Sequence, residues 1–267
     1  MVEYMTNLNW KDVNIYYLNL DRRSDRRKAI ENELKRVQLF KNATRIRGVD
    51  GSRLKPKVEK DFLRKFETKA KIKERVLGRI GCYLGHIRAL KTALKDAYAS
   101  ESRKNKPVLI IEDDCTFQGN AKNYRGQIAG APKKADMLYL GGLFWLRGEA
   151  KRQLTGGSNT DQKTRKFFKP YQVAGSPWMR IDQSNLKIAC TLAYMFPDRK
   201  SLHRAYRTIK KNTPTAIDIA YINYIQKGGN CYIYQPEICR PELSFTSDVT
   251  TFGKTGEKNP YSNSYTT

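Results

Sequence analysis

Residues 107–111, Pro-Val-Leu-Ile-Ile, read as a fully apolar strand, and the chain runs from it straight into Glu112, Asp113 and Asp114. Three adjacent carboxyls repel one another, so a fold keeps them most easily where a cation neutralises them. Side chains alternate along an extended segment, which places Glu112 and Asp114 on one side and Asp113 on the other. Two carboxylates on one side can grip a divalent ion through oxygen. In open α/β sheets the ligand site lies outside the carboxyl ends of the strands, where such a cluster would stand. A solvated acidic turn is the plainer alternative.

Further strands are expected at 13–18, 43–48, 136–140 (closed by Gly141-Gly142), 188–196 and 231–234. Helical patterns lie between them. Ile30, Leu34 and Val37 recur at i, i+4 and i+7 after a start near Asp21 or Ser24. Ile87, Leu90, Leu94 and Tyr98 mark the buried side of a helix over 80–98, and Leu202, Ala205 and Ile209 that of one over 199–211. Thr213-Pro214 predicts a capped helix start, with the helix running to Gln226 before Gly228-Gly229. Residues 52–77 hold too few apolar positions to assign, and the polar, basic stretch 147–169 reads as a loop or lid. Strands alternating with helices predict an α/β fold with a mostly parallel sheet, as one domain over 1–267.

Hydrophobic residues make up 39% of the 267 and aromatics 11%, enough for a real core. No run approaches the roughly 18–20 apolar residues of a membrane span. The first ten residues lack a signal-peptide pattern, and the last six lack a retention or lipidation signal, so a cytosolic location is expected. Five cysteines, an odd number with no Cys-x-x-Cys spacing, argue against a zinc site or a disulfide framework. Lys and Arg number 51 against 26 acids, a net charge of +25 that draws anions. The basic residues are spread from Lys11 to Lys258, and no zinc-finger or RNP-type motif accompanies them, so specific nucleic-acid recognition is not expected.

Four constellations carry chemistry. Residues 18–27 (Leu-Asn-Leu-Asp-Arg-Arg-Ser-Asp-Arg-Arg) turn from a strand into a helix without a glycine-rich dinucleotide or P-loop motif. Their arginines could hold a diphosphate or form an exposed basic helix start. Asp50, between Val49 and Gly51, could accept hydrogen bonds from a base or ribose, or serve an ordinary turn. Gly81-Cys82-Tyr83-Leu84-Gly85-His86 offers close backbone approach, but a lone His is more often structural and Ser/Cys/His triads are poorly supported. Asp218 sits among Ile217, Ile219 and Ala220, a setting that raises a carboxyl pKa and suits a general base; a solvent-facing helical Asp is the alternative.

Together these residues resemble glycosyltransferase family 25, which includes lipopolysaccharide and procollagen galactosyltransferases. The matching segments run in family order: Asn19-Leu20 with Asp25-Arg26-Arg27, Val49-Asp50-Gly51, Gly81-Cys82-Tyr83-Leu84 with His86, and Ile111-Glu112-Asp113-Asp114. Then come Asp136 to Gly141, Thr191-Leu192-Ala193-Tyr194, Ile217-Asp218 and Ser247-Asp248. The resemblance implies a GT-A type nucleotide-sugar fold, with a nucleotide-binding part over about 13–142 and an acceptor side over about 170–250. It implies an inverting transfer of galactose or glucose from a UDP-sugar to a glycan or a collagen-type hydroxylysine. Asp114 with Glu112 would hold Mn²⁺, or Mg²⁺. Asn19, Leu20, Arg22, Arg26, Asp50, Gly51, Glu112 and Asp113 would bind the donor, with Arg27 a further possibility, and Asp218 would be the base. Arg79 stands where the family usually has Glu, Gly85 where it has Ser, and Ala216 where it has Pro.

Two other readings compete. One is a catalytically degenerate transferase fold that binds polyanions or nucleic acid through its charge. The other is a phosphoryl-transfer enzyme, which needs Asp136, Asp218 or Asp248 beside the acidic cluster.

Overall fold

A computed structural model describes residues 5–6, 8–66, 73–103, 105–132, 134–146, 169–182, 186–242 and 244–245. The expected loop at 147–169 falls almost wholly outside them, and Asp248 lies outside them too. Besides a two-residue antiparallel pair, Met5–Thr6 with Ala131–Pro132, the strands are β1 (Asn14–Asn19), β2 (Ala43–Arg47), β3 (Val108–Glu112), β4 (Cys115–Phe117), β5 (Met137–Leu146), β6 (Trp178–Arg180), β7 (Leu186–Phe196), β8 (Cys231–Tyr234) and β9 (Cys239–Pro241). The helices are α1 (Ser24–Arg36), α2 (Pro56–Lys65), α3 (Lys73–Ala99), α4 (Arg199–Lys211) and α5 (Ile217–Tyr221).

Seven strands form one sheet in the order β2-β1-β3-β7-β5-β8-β6. β1 pairs parallel with β2 and β3, and β5 pairs parallel with β8. β7 is antiparallel to both β3 and β5, and β6 is antiparallel to β8. Five strands therefore run in one sense, but only half of the pairings are parallel, so the sheet is mixed where a mostly parallel one was expected. The causes are β7, which inserts head-down between β3 and β5, and the edge strand β6, which runs against β8.

The period of two along each strand divides the core between the two faces. Tyr16, Leu18, Val108, Ile110, Tyr139 and Tyr194 pack with Ile80, Tyr83, Leu90 and Leu94 of α3 and with Leu202 and Ile209 of α4. Ile15, Tyr17, Leu109, Ile111, Leu138 and Leu140 pack on the other face with Ile30 and Leu34 of α1. This alternation reaches the acidic cluster: Glu112 continues the α3 face and Asp113 the α1 face.

Several boundaries differ from the sequence reading. α1 begins at Ser24 with Arg23 as its N-cap and no side-chain cap, because Asp21 is held by Arg45 and Arg47. The unassigned 52–77 region holds α2 and the first turns of α3. Tyr98 is 60% exposed, not buried; Arg199 and His203 pack on its ring. Gly141-Gly142 does not end β5: the strand continues to Leu146, and a Cβ at Gly141 would collide with the backbone of Cys239 in β9. Thr213-Pro214 does not start a helix either. α5 begins at Ile217 after Ala216 and passes into a wider π turn over Ile222–Gln226, so Asp218 lies in the first turn.

Candidate functional site

The carboxyl ends of β1, β2 and β3 open into one cleft, roofed by the first half of α3. Asn19, Leu20, Arg22, Arg26, Asp50, Gly51, Glu112 and Asp113 all line it, as do Cys82 and His86. The cleft continues outward over Arg47, Arg53, Lys55 and Arg88, a rim of positive charge. Arg27 is elsewhere: it pairs with Glu31 along the exposed side of α1 at 2.8 Å.

Glycine sets the distance between α3 and the Asp50 turn. A Cβ on Gly81 would stand 2.5 Å from the Val49 carbonyl oxygen and 2.7 Å from the Gly51 nitrogen. Such spacing is below van der Waals contact, so two backbones meet here because no side chain intervenes. Asp50 is fixed within that turn. Its Oδ1 accepts from the Ser52 N–H at 3.0 Å and its Oδ2 from Arg22 Nε at 2.9 Å. Burial opposes the Asp50 charge, but Ser52 and Arg22 outweigh it and hold the carboxyl below its usual range.

β3 ends at Glu112, and Asp113-Asp114 form a turn. Arg26, only 7% exposed, reaches this turn from α1. Its Nη1 donates to Asp113 Oδ1 and its Nη2 to Asp114 Oδ2, both at 2.7 Å. Asp113 and Asp114 therefore share a cation, whereas strict alternation would have paired Asp114 with Glu112. The reason is local: alternation stops where the strand stops. Asn19 Nδ2 donates to Asp113 Oδ2 at 2.7 Å, and Asn19 Oδ1 accepts from Arg45. Burial, opposed by Arg26, pushes the Asp113 carboxyl up to about 7. Burial likewise raises Asp114.

Glu112 belongs to a different network. Its Oε1 accepts from Thr191 Oγ1 at 2.6 Å and lies 3.3 Å from His86 Nε2. His86 Nδ1 meets the Tyr194 hydroxyl at 2.7 Å, and the Tyr221 hydroxyl donates to Tyr194 at 3.0 Å. Burial alone would raise the Glu112 carboxyl; His86 and Thr191 bring it below its ordinary value.

Asp218 does not line the cleft but stands near Glu112, whose charge it feels. Its Oδ1 accepts from the Ile219 N–H at 2.8 Å, and the Cys190 backbone N–H also points to it. Burial is the main cause of its raised pKa, and Arg79 partly offsets it. Cys190 has φ 71°, the left-handed region rare for a residue with a side chain, and it sits where the β5–β7 register slips. Thr191 and Tyr194 enter the sequence reading only through the matching segment Thr191–Tyr194, with no role attached, and Cys190 not at all, because contacts across a sheet leave no local signal. Asp136 is a structural residue: its Oδ2 accepts from the Asn230 N–H at 2.9 Å, and its Oδ1 pairs with Arg204.

A mixed α/β sheet with a basic-rimmed, acid-floored cleft at its strand carboxyl ends defines a ligand-binding α/β protein. The family model described as glycosyltransferase family 25 (LPS biosynthesis protein) matches residues 12–220, well over half of the chain. The chain belongs to glycosyltransferase family 25. No curated protein matches it closely enough to count as a relative. Among the described residues, no helix is long and apolar enough to cross a membrane.

Proposed function

We propose that this protein is a GT-A-type, metal-dependent, inverting transferase that moves galactose or glucose from a UDP-sugar to an acceptor hydroxyl. The observation that carries the reading is the cleft itself: eight residues from three separate sequence segments, the acidic turn among them, converge on its walls. Asp50 would accept hydrogen bonds from the base or ribose, and Arg22 with the basic rim would face the diphosphate. The donor set fits a hard divalent ion such as Mn²⁺ or Mg²⁺. Asp114 Oδ1 is buried with no hydrogen-bond partner among the described residues, an acceptor of the kind such ions take. Asp114 and Glu112 would hold the ion, which when bound would neutralise the leaving diphosphate.

Asp218 is the base. Its raised pKa favours taking a proton from the acceptor hydroxyl as that oxygen attacks the anomeric carbon. The Ile219 and Cys190 N–H groups orient the carboxylate for that transfer. A glycan or a hydroxylysine of a collagen-like chain is the acceptor class, and the +25 charge suits an acidic one. Calorimetric titration with UDP tests the donor site. Binding that tightens with Mn²⁺ supports it, and no binding with or without the ion overturns it.

One observation favours the polyanion-binding alternative: Arg26 already neutralises the acidic turn without a metal. That reading requires salt-sensitive polyanion binding with no UDP release from any UDP-sugar.

A further inference from the structure

α3 carries Cys82 and His86 one helical turn apart, so both project from the same side of the helix. They project into the cleft, opposite Glu112 at the end of β3. One ligand atom from each of the three, a cysteine Sγ, a histidine nitrogen and a carboxylate oxygen, lie within 4.8 Å of one another. We propose that Cys82, His86 and Glu112 form a site for a borderline-soft divalent ion of the Zn²⁺ type, a use of Glu112 alternative to the oxygen-only pairing with Asp114.

Three features favour metal ligation over a satisfied polar cluster. The first is the donor set: sulfur plus imidazole plus one carboxylate selects Zn²⁺-like ions over Mn²⁺ or Mg²⁺. Three protein ligands with an open side are the pattern of zinc sites that keep an exchangeable position. The second is the support behind the histidine. The Tyr221 hydroxyl donates to Tyr194, and the Tyr194 hydroxyl holds the ring at 2.7 Å from Nδ1, leaving Nε2 to face Glu112. Metal-bound histidines are held through the other ring nitrogen in this way. The third is access, because all three ligands line the open cleft.

Binding has a defined proton balance. The Cys82 thiol gives its proton to solvent and becomes the thiolate ligand. The His86 proton moves from Nε2 to Nδ1, where the Tyr194 oxygen accepts it. Thiolate and carboxylate then cancel the charge of the ion. Because the thiol proton must leave before the sulfur ligates, affinity should climb with pH. The Cys-x-x-Cys rule overlooked this set because its ligands are one Cys, one His and one distant Glu.

Co²⁺ added to the purified protein reports the site without reference to any transferase activity. The expected result is one tightly bound equivalent with a thiolate-to-cobalt charge-transfer band and intense visible bands of low coordination number, all displaced by Zn²⁺. Cys82→Ser should remove the charge-transfer band, and Cys190→Ser should leave it. Tyr194→Phe should weaken binding by about 10- to 100-fold. A pale six-coordinate spectrum without the sulfur band in the wild-type protein would overturn the proposal. So would a band that survives Cys82→Ser. The wild-type spectrum decides the matter even if a variant fails to fold.

Discussion

Arg26 Nη2 lies 2.7 Å from Asp114 Oδ2, and through this contact an α1 side chain closes the acidic turn that follows β3. The same guanidinium holds Asp113 at 2.7 Å, so one cation organises two of the three consecutive acids. Substituting Arg26→Met removes the cation and leaves both carboxyls buried. We expect a loss of about 3–5 kcal/mol at neutral pH, measured by urea unfolding, as for other broken buried ion pairs. Adding Asp113→Asn and Asp114→Asn to that variant should restore most of the loss.

The Asp113 carboxyl gives metal-free protein a stability slope with a definite sign. Its folded pKa of about 7 lies above the ordinary value of 3.8. A carboxyl raised in this way binds more protons folded than unfolded between those two values. Its contribution is fully present below the unfolded pKa and is lost as pH rises through the folded one. The contribution is no more than about 4 kcal/mol. Urea midpoints between pH 4 and 7 should fall less steeply in Asp113→Asn than in the wild type.

The close backbone approach of Gly81 to Val49 and Gly51 makes a single methyl group informative. Gly81→Ala forces α3 away from the Asp50 turn, at a cost of about 1–3 kcal/mol in thermal unfolding. UDP affinity should fall with it, because Asp50 is carried on the displaced turn. A variant with unchanged melting temperature would show that the two segments are not held in contact.

Much of this arrangement is legible in the sequence, for identifiable reasons. The strands and α1 follow from apolar runs and a helical stripe, and the acidic cluster stands at a strand end as its residue types require. The eight expected donor residues gather in one cleft because they stand at or just beyond the ends of β1, β2 and β3, or on α1, which abut there. What could not be read depends on tertiary context. β7 runs antiparallel because of connections that no local period encodes. Arg26 and Arg27 are adjacent in sequence, yet only Arg26 faces the acids. The left-handed Cys190 resembles any strand residue until the β5–β7 register places it beside Asp218.

Asp218→Asn keeps the size of the side chain and its place in the first turn of α5 but removes the proton acceptor. Turnover should drop by about 10²- to 10⁴-fold, the usual worth of a positioned general base. UDP affinity should stay unchanged, since Asp218 stands outside the donor cleft. Loss of UDP binding along with turnover would assign Asp218 a structural role.

The most direct measurement is UDP release from UDP-galactose and UDP-glucose, with glycan and hydroxylysine-containing acceptors, in Mn²⁺ and in chelator. Acceptor-dependent release that needs the metal and disappears in Asp114→Asn is the predicted result. Folded protein that releases no UDP from either donor with any of these acceptors, or that releases it equally well in Asp114→Asn, would contradict a metal-dependent sugar transfer at this cleft.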